Sequence, residues 1–144
     1  MTQGTAADFG RRHVEEIING RSLDLVDELY APDGVYHDPV APGGTARGRT
    51  EIKAFFSAIF HAMPDVRFTI EDHFGTADRG LCRGTISATL RGDFGPLPAT
   101  GKSATAPIAA IFPIANGQIV EVWVYPDTMS IMQQFGLIAT SGGA

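Results

Sequence analysis

The apolar residues of this chain change their spacing once, at Pro64. Before it they recur every three or four positions, and from Val66 onward they recur every second position. A helix brings residues to one face every 3.6 positions and a strand every two, so the chain reads as helices followed by strands. That order predicts an α+β fold, with N-terminal helices laying their apolar stripes on one face of a curved, mainly antiparallel sheet. Such an arrangement can leave a pocket between helix and sheet.

Within the helical part, residues 6–19 carry Phe9, Val14, Ile17 and Ile18 on one stripe, which Asn19-Gly20 ends. Ser22 reads as the N-cap of a short helix in which Leu23, Val26, Leu29 and Tyr30 recur, and Pro32-Asp33-Gly34 breaks it. Val35-Tyr36-His37 is extended and stops at Asp38-Pro39. Residues 40–48 form a Gly-, Pro- and Ala-rich loop. A third helix opens near Thr50; Ile52, Phe55, Phe56, Ile59, Phe60 and Met63 give it a wide apolar face, which makes it core.

In the extended part Val66, Phe68 and Ile70 alternate with polar residues, as do Cys82, Ile86, Ala88 and Leu90. A strand follows over residues 104–115. Asn116-Gly117 then supplies the two positive-φ positions of a type I′ hairpin, and the last strand runs over residues 118–125. Residues 129–135 read as a terminal helix. No internal repeat or linker divides the chain, and 144 residues suit one core, so residues 1–144 are read as a single domain.

Composition excludes several classes. Net charge is -5, and Lys and Arg are scattered without aromatic interleaving, which argues against nucleic-acid binding. No apolar run is long enough to span a bilayer and no signal core follows the N-terminus, so a soluble cytoplasmic protein without a membrane partner is expected. The only cysteine, Cys82, sits in a strand-like run and reads as a small core residue. No HExxH, paired-histidine, GxSxG, GxxxxGK[ST] or GxGxxG pattern occurs, so neither a metal nor a nucleotide site is expected.

The chemistry-bearing residues gather in the last strand. Strict alternation puts Val120, Val122 and Val124 on one face and Ile119, Glu121, Trp123, Tyr125 and Asp127 on the other. The first face is structural. The second, with Trp123, Tyr125 and Asp127, suits a ligand cavity, where desolvation would raise an Asp pKa toward the range useful for proton transfer. Alternatively, Asp127 before Thr128 and Met129 is a helix cap with Glu121 and Tyr125 in solvent. His37 is either a hydrogen-bonded structural residue or a second acid/base group. His13 lies four residues from both Phe9 and Ile17, so it borders the apolar stripe and can face a cavity with Tyr36 and Phe56. His61 and His73 read as surface residues.

Several phrases taken together resemble the SnoaL-like polyketide cyclases of the NTF2-like superfamily. They are Val35-Tyr36-His37-Asp38-Pro39, Ala62-Met63-Pro64-Asp65, Arg91-Gly92-Asp93-Phe94, Pro98-Ala99-Thr100-Gly101-Lys102 and the run from Asn116 to Trp123. Asp127 followed by Met132-Gln133-Gln134-Phe135-Gly136 completes the set. The resemblance implies a cone-shaped NTF2-like barrel, a homodimer, and a hydrophobic polyketide-like substrate. It also implies a cofactor-independent, aldol-type ring closure in which Asp127 is the general acid/base, with alternatives of an isomerase, an epoxide hydrolase or a non-catalytic binding protein. Two positions depart from the family pattern. Leu90 stands where many members carry His, and Pro113 where Arg is common, the latter suggesting a bulge or an edge.

Overall fold

The computed structural model describes residues 6–139. Helix α1 (Ala6–Arg12) runs directly into a π-helical stretch, His13–Ile18, closed by a bond from the Asn19 amide to the Val14 carbonyl. A π-turn was not expected from an ordinary apolar stripe. A 3₁₀ turn (Leu23–Leu25) leads to the one-turn helix α2 (Val26–Leu29). Ser22, expected to cap it, makes no side-chain cap bond. Strands β1 (Tyr30–His37) and β2 (Thr45–Arg47) flank a 3₁₀ turn, so the expected loop holds a short strand. Helix α3 (Gly48–Ala62) follows, then β3 (Arg67–Gly75), β4 (Arg79–Thr89), β5 (Ser103–Ala115), β6 (Gln118–Pro126) and helix α4 (Thr128–Gln134).

The six strands form one sheet in the order β2-β1-β6-β5-β4-β3. It is antiparallel except where β1 lies parallel to β6. Asn116 and Gly117 have φ of 52° and 71°, as a type I′ turn requires, and join β5 to β6. The break expected at Pro32-Asp33-Gly34 is absorbed as a bulge in β1, between the pairs Tyr30↔Ile119 and Val35↔Glu121.

The helices cover one face of the sheet. α1 reaches β4 and β5 closely because Gly10 and Gly80 have no side chain; a Cβ on either would lie within 2.5 Å of the Phe112 ring. Phe112, 3% exposed, thus plugs one end of the space between helices and sheet. Asn19 clamps the end of the π-stretch to β3, its side-chain amide donating to and accepting from the Phe68 backbone at 2.9 Å. Arg49 at the start of α3 donates twice to the Tyr30 carbonyl and ties that helix to β1. Cys82 is buried and its thiol pKa is pushed up to about 11 by burial, consistent with an inert core residue.

The sheet is not a regular ladder. Between the pairs Ile111↔Trp123 and Ile114↔Ile119, β5 advances three residues and β6 four. One extra residue in β6 reverses its alternation, so buried Ile119 shares the inner face with Val122 and Val124. Pro113, which has no N–H to donate, lies at this irregularity.

Candidate functional site

The inner face of the central strands carries small residues, among them Ala88 on β4 and Ala104 and Ala110 on β5. Aromatic residues of α3, including Phe56 and Phe60, stand opposite them. The mismatch leaves a cavity of about 130 Å³. Its wall is nearly all hydrocarbon: Ile18, Phe68, Ile86, Leu90, Val122 and Ile131 are among the lining residues. The polar side chains on it are His13, Tyr36 and Asp38.

Asp38 reaches the cavity by simple alternation. Tyr36 faces inward from β1, and the residue before a proline stays extended, so Asp38 falls on the same face two positions later. The backbone then turns: the Val40 amide donates to Asp38 Oδ1 at 3.0 Å, an Asx-type turn. The other carboxylate oxygen has no partner among the described residues. Asp38 is 7% exposed, and burial raises its pKa from 3.8 to about 6, against the smaller opposing effect of the Val40 amide.

His13 is also buried, and desolvation lowers its pKa to about 4. Its Nε2 lies 2.6 Å from the Tyr30 hydroxyl. The imidazole is stacked on Tyr36 at 6.1 Å and meets Phe56 edge-on at 5.5 Å. Burial, then the nearby charge of Asp38, pushes the Tyr36 phenol well above its ordinary pKa. At neutral pH the site therefore holds one carboxylate, a neutral imidazole and neutral phenols.

Of the residues expected at a site, His13, Tyr36 and Phe56 line this cavity. Trp123, Tyr125, His37 and Asp127 do not. The partition expected from alternation holds apart from Ile119, but it is the face of Val122 and Val124 that borders the cavity, and the extra residue in β6 leaves Glu121, Trp123 and Tyr125 on the outer face. There His37 Nε2 pairs with Glu121 Oε2 at 2.6 Å, its Nδ1 sits 3.3 Å from Thr45 Oγ1, and its ring stacks on Trp123. Asp127 is exposed at the edge of an open groove with Arg83 and Tyr125. It caps α4, its Oδ1 accepting from the Ser130 amide at 3.1 Å. Arg83 pairs with Glu71 and Asp72, away from Tyr36. Among the described residues no group of His, Cys, Asp and Glu is placed to hold a metal, and no helix is long and apolar enough to cross a membrane.

The family profile of SnoaL-like polyketide cyclases matches residues 10–135. The chain belongs to the SnoaL-like polyketide cyclase family. Solved structures of SnoaL-like and NTF2-like proteins share its fold. It is similar to IdmH of Streptomyces antibioticus, described as a proposed polyketide cyclase, at 27% identity and a TM-score of 0.73, over 90% of this chain and 97% of that one. A SnoaL-like polyketide cyclase of Agrobacterium tumefaciens matches at 20% identity and a TM-score of 0.75, over 92% and 98%. A Catenulispora acidiphila protein with a ketosteroid isomerase-like fold matches at 21% identity and a TM-score of 0.74, over 91% and 94%. No curated protein matches the chain.

Two residues of this site in the SnoaL-like fold escape a reading of the sequence: Asp38, on the cavity wall, and Tyr30, which is not on the wall but hydrogen-bonds His13. Tyr30 is hidden because the breakers after it make a helix end more plausible than a strand start. Asp38 carries a usable signal, the two-residue step from Tyr36 combined with Pro39. Leu90, at the position where the resemblance puts a family histidine, is 1% exposed on the cavity wall.

The raised pKa of Asp38 has a measurable consequence for stability. The folded chain holds this proton more tightly than the unfolded chain, so the favourable contribution is complete below the unfolded value of 3.8 and is lost as pH rises through about 6. Asp38→Asn keeps an acceptor for the Val40 amide and removes the charge. Urea unfolding at about pH 8 should show the variant more stable by up to roughly 3 kcal/mol, the gap closing as pH falls toward 4. A variant no more stable than its parent at about pH 8 would contradict the assignment of a buried, unpaired carboxylate.

Proposed function

We propose that this SnoaL-like protein is a cofactor-independent enzyme that moves a proton α to a carbonyl in an apolar, polyketide-like molecule, with ring closure as the outcome. The observation that carries the reading is the carboxylate on the cavity wall, the single one among the described residues. Asp38 is buried among hydrocarbon, has one oxygen free, and titrates near the pH at which an acid and its base are both available.

In the scheme, the Asp38 carboxylate removes an α proton and the electron pair moves into the carbonyl to give an enolate. The enolate carbon attacks a second carbonyl carbon of the same molecule, forming the C–C bond. The new alkoxide then takes the proton from Asp38, which returns to its carboxylate form, and the product is an isomer of the substrate. No step of the scheme uses a cofactor, because a conjugated substrate delocalises the enolate charge. The similarity to a ketosteroid isomerase-like fold supports a second outcome, in which Asp38 returns the proton to a different carbon. Asp127, exposed and engaged with the Ser130 amide, keeps the role of a helix cap.

A cavity of about 130 Å³ is of the size that admits a single aromatic ring. A larger substrate requires side-chain movement, for which Met63 and Met132 on the wall have the rotatable bonds. Deuterium exchange α to the carbonyl of acetophenone and 2-tetralone, followed by NMR, tests the chemistry. The wild type should accelerate exchange with a rate rising through about pH 6. Asp38→Asn should lower it by at least about a hundredfold, while Asp127→Asn should leave it near wild type. Retained exchange in Asp38→Asn, or its loss in Asp127→Asn alone, would overturn the assignment.

The reading includes a homodimer formed through the outer face of the sheet. Val35, Ile111, Pro113 and Trp123 are half-buried there and Tyr125 is 64% exposed, more apolar surface than a solvated sheet face needs. Sedimentation equilibrium should show a dimer that Tyr125→Asp shifts toward monomer. A wild-type monomer at micromolar concentration would rule it out.

A further inference from the structure

We propose that His13, held by Tyr30 as the tautomer protonated on Nδ1, donates the hydrogen bond that receives the substrate's carbonyl oxygen and the negative charge it develops. The inference rests on the reading of the Asp38 cavity as a proton-transfer site and names the group that complements its base.

The tautomer follows from counting protons. Tyr30 is fully buried, and the only hydrogen bond of its hydroxyl among the described residues is the 2.6 Å contact with His13 Nε2. If Nε2 carried the imidazole proton and donated it, the phenol proton would be left without an acceptor in apolar surroundings, which is unfavourable. If the phenol donates to a bare Nε2, both groups are satisfied and the single imidazole proton sits on Nδ1. Tyr30 cannot instead lose its proton, because burial raises its pKa well above the ordinary phenol value.

The position of Nδ1 follows from burial. Every side-chain nitrogen or oxygen sealed from solvent has a partner among the described residues. His13 Nδ1 has none, so it is not sealed, and His13 lines the cavity. The ring cannot swing away: Tyr36 is stacked on one side, and Tyr30 and Phe56 meet it edge-on. This N–H is thus a fixed donor in a nearly dry space, the setting in which a hydrogen bond to a developing oxyanion has its largest effect. Burial keeps the imidazole neutral, as in other sites where neutral histidine polarises a carbonyl.

The donor set also selects the substrate. Among the described residues no Lys or Arg lines the cavity, and Asp38 is the single carboxylate on its wall. A substrate carboxylate or phosphate placed inside would be desolvated, unpaired and repelled. The site therefore takes neutral ketones and their enols, and any acidic group of the substrate must remain outside. Tyr36 is the competing donor, since its hydroxyl also lacks a partner among the described residues.

Long-range ¹H–¹⁵N NMR of the full chain labelled at histidine reads the tautomer directly. In the wild type His13 should be protonated on Nδ1, and Tyr30→Phe should abolish that preference. Titration with 2-naphthol, a neutral enol mimic, should move the Nδ1 proton downfield, and His13→Phe should weaken its binding about tenfold or more. Protonation of wild-type His13 on Nε2, or an Nδ1 proton that 2-naphthol does not move, would overturn the proposal. So would loss of 2-naphthol binding in Tyr36→Phe but not in His13→Phe. None of these readouts depends on Asp38, whose own role fails separately if Asp38→Asn retains exchange.

Discussion

One extra residue in β6 decides which side of this sheet can do chemistry. Because successive strand residues point to opposite faces, a single insertion exchanges the faces of everything beyond it. It turns Val122 and Val124 into the cavity and sends Glu121, Trp123 and Tyr125 out. The inner wall becomes hydrocarbon, and the polar groups inside have to come from elsewhere: His13 from the π-helical stretch, and Tyr36 and Asp38 from β1. The π-turn matters for the same reason. It begins at His13, where the altered helix pitch places the imidazole against Tyr30, and such turns recur at functional sites.

The apolar wall and the buried carboxylate belong together. A charge that lacks a cation and keeps only one amide contact is expensive, and its raised pKa is the measure of that cost. The packed aromatic cluster of Tyr36, Phe55 and Phe56, with Phe112 at the other end, supplies the stability that tolerates it. In exchange the site gains a base whose two protonation states are both accessible near neutrality, and a neutral donor whose proton cannot wander. Proton transfer to and from carbon needs both.

Much of the fold is legible in the sequence because its signals are local. Pro64 ends α3, Asn116-Gly117 makes the hairpin, and the stripe from Phe9 to Ile18 makes the first helix and brings His13 to the cavity edge. What is lost depends on contacts between strands. The β6 bulge leaves no mark in the regular alternation of residues 118–125, so nothing local shows that the face of Val122 and Val124, and not that of Trp123, borders the cavity. Pro113 hints at the irregularity but not at which strand takes the extra residue. Tyr30 is masked by Pro32-Asp33-Gly34, which ends a helix in most settings and here rides in a bulge beside β6. Asp38 was within reach, since Pro39 keeps it extended and Tyr36 sets its face.

The proposed chemistry depends on Asp38 being a buried, unpaired carboxylate in an apolar cavity. A carbon-13 NMR titration of its side-chain carboxyl in the intact protein tests this most directly. The midpoint should lie at about 6, as burial requires. A midpoint at the ordinary carboxylate value near 3.8 would mean that water or a cation reaches the group, and would contradict the site as described.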